Sequence, residues 1–326
     1  MNLPDIYFLP EWGKAHQDLE KGDASVFEFE DQSGHIYYQF IKRRVPDELD
    51  LGLYYDIITP YGFNGPIILD HNPAEKEKLL SRFDEIFNEY CRDEKIIAEY
   101  VRFSPWLKNH QDFGKFYTLK YNDYTLYTDL TVGDFFMEEY CSKIRTKIRK
   151  SQKLGVRIEY DLSGKSLNEF CNLYKQTIQK NEISDYYHFD ENFLLRVFKS
   201  LNNRQFLINA RFEDKYISSA IFMEFGDYLH FHLVANDYNH YEKNGNSLIM
   251  YEAAMWGQKN GKKQMHIGGG TSGELFAFKK QFTKKGICDF YIGKKIRNDH
   301  IYNKLVDLKM KTGQLHDTSY FPLYRG

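Results

Sequence analysis

Residues His266-Ile267-Gly268-Gly269-Gly270-Thr271-Ser272-Gly273 place consecutive glycines behind a short β-like run, and Phe278-Lys279-Lys280-Gln281-Phe282 follows at helical spacing. Glycine takes backbone conformations closed to other residues and lets a ligand approach the main chain. Backbone N–H groups left free ahead of a helix hold an anion such as a phosphate. The spacing matches neither the P-loop nor the dinucleotide fingerprint. Gly268, Gly269 and Gly270 are the candidate donor-binding amides, with Lys279 as the cation beside them. Spacing alone leaves Lys279 a solvent-facing helix lysine, as most lysines are.

Three further groups carry possible chemistry. Lys243-Asn244-Gly245-Asn246-Ser247 stands before a helical run, so Gly245, Asn246 and Ser247 offer either a helix cap or a pyrophosphate contact. Lys143, Arg145, Lys147, Arg149, Lys150 and Lys153 crowd one segment with no acid among them. Arg145 and Arg149 share a helical face, a spacing a diphosphate can bridge. His230 and His232 alternate on a strand and share a face. They lack an evident carboxylate or thiolate partner for a metal; satisfied core or cleft histidines are the commoner reading, and one of the pair, with His232 as the candidate, is open to a general-base role.

The elements that must position these groups follow from periodicity. Val26–Glu30 and His35–Lys42 flank a turn and predict a hairpin, Leu51–Ile58 a further strand, and Leu79, Phe83, Ile86, Phe87 and Tyr90 a helix. Ile96–Phe103 and Tyr124–Leu130 predict strands. The second half opens on one charged amphipathic segment, Asp134–Leu154, then a helix over Leu167–Lys180 and another capped by Asp190. Strands over Gln205–Phe212, Tyr216–Phe225 and Tyr228–Ala235 precede a helix at Ser247–Asn260. Lys263–Ile267, a helix containing Phe276–Phe282, Ile287–Gly293 and a basic helix at Asp299–Thr312 complete the order. Both halves run hairpin, third strand, loop, helix, strand, without a residue-level repeat.

Composition narrows the class. At 326 residues, two domains are expected. Hydrophobic content of 42% supports real cores, and a net charge of −2 argues against a nucleic-acid coat or a bulk membrane binder while permitting one basic patch. Cys91, Cys141, Cys171 and Cys288 form no metal or disulfide spacing and read as reduced thiols. The first residues lack the pattern of a signal peptide, and no apolar run is long enough to span a bilayer. The expectation is a cytoplasmic α/β or α+β protein with no metal.

The ordered motifs resemble those of the FemABX family of aminoacyl- and acyltransferases. The resemblance is carried by the His-Ile-Gly-Gly-Gly run with Leu275-Phe276-Ala277-Phe278-Lys279-Lys280-Gln281-Phe282, by Ser142–Lys150 ahead of Gly155-Val156, by Tyr55–Gly62 with Gly65-Pro66, and by Glu99–Phe103. It implies two tandem GNAT-like domains, at 1–132 on the acceptor side and 133–326 for acyl transfer, each a mixed, mostly antiparallel sheet flanked by helices. It implies acyl-CoA or aminoacyl-tRNA as donor, and an amine on a nucleotide-linked or lipid-linked envelope precursor (peptidoglycan peptide or polysaccharide amino sugar) as acceptor. Lys279, with Phe278 beside it, takes the position that supports the transferring group. Tyr55, Asp56, Tyr61 and Arg102 become candidate acceptor contacts, in a cleft formed by the basic segment, Thr59–Pro66 and Gly268–Phe282. The Gly245 loop departs from the usual coenzyme A pattern by lacking its second glycine, and no long heptad arm of the kind some tRNA-dependent relatives carry is present. The alternative is a catalytically silent subunit that binds a nucleotide sugar or carbohydrate.

Overall fold

The computed structural model describes residues 2–46, 52–181, 184–270 and 273–326. Leu51 of the expected third strand, and Thr271 and Ser272 of the glycine run, lie outside them. Two compact units emerge: Met1–Asn122 with Asp289–Gly326, and Asp123–Cys288. The expected division at 132/133 kept the C-terminal segment with the second half, whereas its contacts group Asp289–Gly326 with the first. Among the described residues no helix is long and apolar enough to cross a membrane.

In the first unit, α1 (Pro10–Glu20) leads into β1 (Asp23–Asp31), β2 (Gly34–Arg44), β3 (Tyr55–Ile58), β4 (Ile67–His71), α2 (Lys76–Asp93) and β5 (Ile96–Arg102). The hairpin and α2 are where periodicity put them; α1 and β4 were not foreseen. β1 and β2 pair antiparallel, β2 pairs both β3 and β4, and β3 runs parallel to β5. Leu79, Leu80, Phe83 and Phe87 of α2 pack with Tyr38, Phe40 and Val101 of the sheet to form the core.

The second unit receives β6 (Thr118–Asp129), in which the division between units falls. It continues with α3 (Ser142–Lys153), β7 (Arg157–Asp161), α4 (Leu167–Asn181), α5 (Glu191–Ser200), β8 (Gln205–Phe212), β9 (Lys215–Phe225), β10 (Tyr228–Asn236), α6 (Gly245–Lys259), β11 (Gln264–Gly268) and α7 (Gly273–Lys279). The strand order is β6-β11-β10-β9-β8-β7, antiparallel throughout except β10 beside β11. Ile144 and Ile148 of α3 and Leu248, Ile249 and Ala253 of α6 bury one sheet face with Leu229, Phe231, Met265 and Ile267. β12 (Ile287–Ile296) and α8 (Asp299–Lys311) then rejoin the first unit, where β12 pairs β5 antiparallel.

The charged amphipathic segment Asp134–Leu154 is not one continuous element. A single turn at Phe135–Glu138 ends before α3 begins at Ser142. The interruption is tied down from the far end of the chain. Cys141 N–H donates to the Gln281 carbonyl at 2.9 Å, and Glu139 accepts from the Thr283 hydroxyl at 3.0 Å.

Candidate active site

Parallel strands that pair over only part of their length are free to diverge beyond the last pair. β10 and β11 are in register for three pairs, Tyr228 with Gln264, Leu229 with Met265 and His230 with His266, and no further. Just beyond, the pairing of β10 with β9 shifts register between Phe231 and Leu233, a bulge that contains His232. β11 shifts against β6 between His266 and Gly268. Bulges bend a strand and re-aim its side chains, so both strands turn aside at the same level. Because Leu229, Phe231, Met265 and Ile267 face the α3/α6 core, Tyr228, His230 and His266 face the other way. The His230 and His266 rings stack there at 5.1 Å and 16°. Burial, helped by neighbouring His230, pulls His266 well below the usual imidazole range, so its ring is neutral at pH 7.

Gly268 (φ +74°) and Gly270 (φ +104°) turn the chain out of β11 in conformations that favour glycine. A β carbon on Gly270 would also meet the Leu275 side chain at 2.6 Å. This turn folds against α7, whose last residue is Lys279. Its ammonium donates to the Gly269 carbonyl, and the side chain is buried. Desolvation lowers the Lys279 pKa to about 8. The reading from spacing alone, a solvated helix lysine, does not describe it. Phe278 is half-buried and meets Phe282 edge-on at 5.2 Å.

The start of α6 lies in the same unit. Asn244 takes the left-handed conformation, and no side chain caps the helix. Thus the capping expected of Asn246 or Ser247 is not made, and no acid stands in the first turn. A β carbon on Gly245 would crowd the Ala210 and Ile217 side chains at 3.2 Å. These features fit an anion without a second glycine.

Arg145 and Arg149 do share a face of α3, but that face holds the preceding turn. Arg145 donates to the Met137 and Tyr140 carbonyls at 3.0 and 3.1 Å, and Arg149 lies over the Phe136 ring at 5.3 Å. Lys143, Lys150 and Lys153 are exposed.

The candidate acceptor contacts all belong to the first unit. Asp56 is fully buried: Arg43 Nε reaches one oxygen at 2.6 Å, and Tyr324 Oη and Arg325 Nε reach the other at 2.9 and 2.5 Å. An acceptor contact was expected of it, and a closed ion-pair cluster is what it makes. Arg102 donates to Glu20 at 2.6 Å and to the Thr59 carbonyl, pinning the start of the Thr59–Pro66 loop. Tyr61 stacks on His16 at 5.5 Å, and Tyr55 lies under the Lys42 ammonium at 4.0 Å. Among the described residues no group of three or more His, Cys, Asp or Glu side chains gathers to hold a metal ion.

Residues 139–280 match the acetyltransferase (GNAT) domain family. The chain matches none of the curated proteins. Among solved structures, FemX superposes with a TM-score of 0.71 at 16% identity, over 92% of this chain and 94% of that one. The C-terminal domain of a putative lysylphosphatidylglycerol synthetase from Agrobacterium fabrum follows at 0.56 and 14% identity, covering 90% and 92%. L-PGS from Bacillus licheniformis gives 0.52 at 12%, covering 96% and 99%. At such identities the likeness is one of fold, and the domain match supplies the class of chemistry. The strands that part beside β11 thus lie within the stretch that matches the acetyltransferase (GNAT) domain, and the protein is an acyltransferase.

Proposed function

We propose that this enzyme transfers an aminoacyl or acyl group from a tRNA ester or a coenzyme A thioester to an amine on a cell-envelope precursor, in the cytoplasm. The observation that carries the reading is the burial of the Lys279 ammonium against Gly269, in the glycine turn that follows β11. A cation fixed beside a glycine turn answers the negative charge that grows on an acyl oxygen when an amine attacks. The acyl group is held in line between the diverging strands, and the α6 amides take the donor's phosphate.

The fold neighbours include FemX and a domain of a putative lysylphosphatidylglycerol synthetase, which favours an aminoacyl donor and an envelope acceptor. The exposed lysines of α3 suit a polyanionic donor, and with tRNA the binding would weaken steeply with salt. His232, in the bulge of β10, is the residue we assign to take the proton the acceptor amine releases.

The test measures transfer from acetyl-CoA and from aminoacyl-tRNA to a UDP-linked muropeptide bearing a free amine. Lys279→Ala is expected to lower kcat roughly 100- to 1000-fold, the range for losing one oxyanion contact, with the circular dichroism unchanged. Wild-type turnover in that variant would remove Lys279 from the site.

A further inference from the structure

Thr125 lies on β6, beside the glycine turn, and its side chain is 1% exposed. Its strand neighbours face the other way: Tyr124 meets Phe276 edge-on at 5.1 Å, and Leu126 enters the α3/α6 core. The Thr125 methyl lies 3.8 Å from where a β carbon on Gly269 would sit. Gly269 is the residue whose carbonyl receives the Lys279 ammonium. Lys279 and Thr125 therefore flank one glycine.

The Thr125 hydroxyl has no hydrogen-bond partner. Thr128, three residues along the same strand, is equally buried, and its hydroxyl donates to the Phe282 carbonyl at 2.8 Å. A buried hydroxyl without a partner costs about 1–3 kcal/mol. Valine has the same shape without that cost. Threonine at this position makes physical sense when a bound molecule completes the bond.

We infer that Thr125 is a further catalytic residue, whose hydroxyl donates to the acyl oxygen during transfer; this rests on the reaction proposed above. The acceptor nitrogen attacks the acyl carbon, a C–N bond forms, and the π pair of the carbonyl moves onto its oxygen. Thr125 O–H and the Lys279 ammonium, both beside Gly269, donate to that oxygen. As the pair returns, the bond to the leaving oxygen or sulfur breaks, and the leaving group takes the proton that His232 received from the amine. Two donors converging on one developing charge form an oxyanion hole. A lone threonine on a strand has no periodicity or motif to mark it, which is why the sequence does not disclose it.

The experiment compares Thr125→Val, Thr125→Ser and Lys279→Ala with acetyl-CoA and aminoacyl-tRNA as donors. Thr125→Val is expected to lower kcat at least tenfold with little change in KM, while its thermal midpoint holds or rises by about 2–4 °C. Thr125→Ser keeps most of the rate. Wild-type kcat in Thr125→Val, with Lys279→Ala inactive, overturns this inference and leaves the proposed function standing. A fall in kcat that Thr125→Ser shares, with a lowered thermal midpoint in both, also overturns it, because it marks a packing role. A wild-type chain that transfers from neither donor, or an active Lys279→Ala, overturns both readings.

Discussion

Each unit places one pair of parallel strands beside one another, and the two pairs end differently. In the first unit β3 and β5 remain joined beyond their ladder. Thr59 N–H reaches the Tyr100 carbonyl at 3.1 Å, Asn64 N–H reaches the Arg102 carbonyl at 2.8 Å, and Asn64 bridges to Phe103. The charges along this pair are closed on themselves. Asp56 is held by Arg43, Tyr324 and Arg325, and Glu99 accepts from Tyr38 at 2.9 Å, Tyr117 at 2.6 Å and Arg297 at 2.9 Å. In the second unit β10 and β11 separate after three pairs, and an ammonium and a partnerless hydroxyl are buried beside the glycine turn that follows β11. A buried polar group that is fully satisfied fixes structure, and one held at a cost is available to a ligand. On the function proposed above, the first unit supplies framework and the second carries the chemistry.

Mutation of the buried charge in each unit should therefore move stability in opposite directions. Asp56→Ala leaves Arg43 buried beside no carboxylate, and the cost is about 3–5 kcal/mol. Urea or thermal unfolding would show it, and a loss under 1 kcal/mol would break the comparison from this side. Lys279→Met should instead stabilise, by up to about 3 kcal/mol at neutral pH, because it removes a charge held at a desolvation cost. The sign has a pH signature. Folding depresses this amine to about 8 from an unfolded value near 10.5, so its cost is full below pH 8. Wild-type stability then rises between about pH 8 and 10.5, where the unfolded chain binds the extra proton. Measured against Lys279→Met, the wild type should gain over that window, and parallel curves would show that the amine titrates normally.

Much of the framework could be read before the structure, and the exceptions have physical causes. α2 and the β8-β9-β10 meander carry strong periodicity and stand within a few residues of their expected limits. α1 was missed because its buried face is Trp12, Gly13, His16 and Glu20, a mixture no hydrophobic pattern displays. β4 was missed because it follows Pro66 within an apparent loop and is only five residues long. The return of β12 and α8 to the first unit depends on long-range pairing that local sequence does not encode. At the site, glycine spacing and the family resemblance named Lys279, but not its burial, which arises when the Gly268–Gly270 turn folds back on α7. Asp56 was given a substrate role because its three partners lie 13, 268 and 269 residues away in the chain.

The smallest effect tests the comparison at the helix that follows each strand pair's first member. α2 carries Glu77 in its first turn, a carboxylate that complements the helix dipole and repels phosphate. α6 has no acid there, and its first turn holds Asn246, whose Oδ1 is buried without a hydrogen-bond partner. Asn246→Asp changes almost no volume and makes α6 begin as α2 does. If the α6 amides serve only the helix, the added charge leaves the donor KM unchanged, and its dipole gain of about 0.3–1 kcal/mol is offset by the cost of charging a buried oxygen. If they hold the donor's phosphate, the same substitution gives a severalfold rise in donor KM at unchanged kcat. That rise should shrink with added salt, since the opposing charge is partly screened. The second outcome is expected, because a helix start that lacks both a cap and an acid gives up stability that α2 retains.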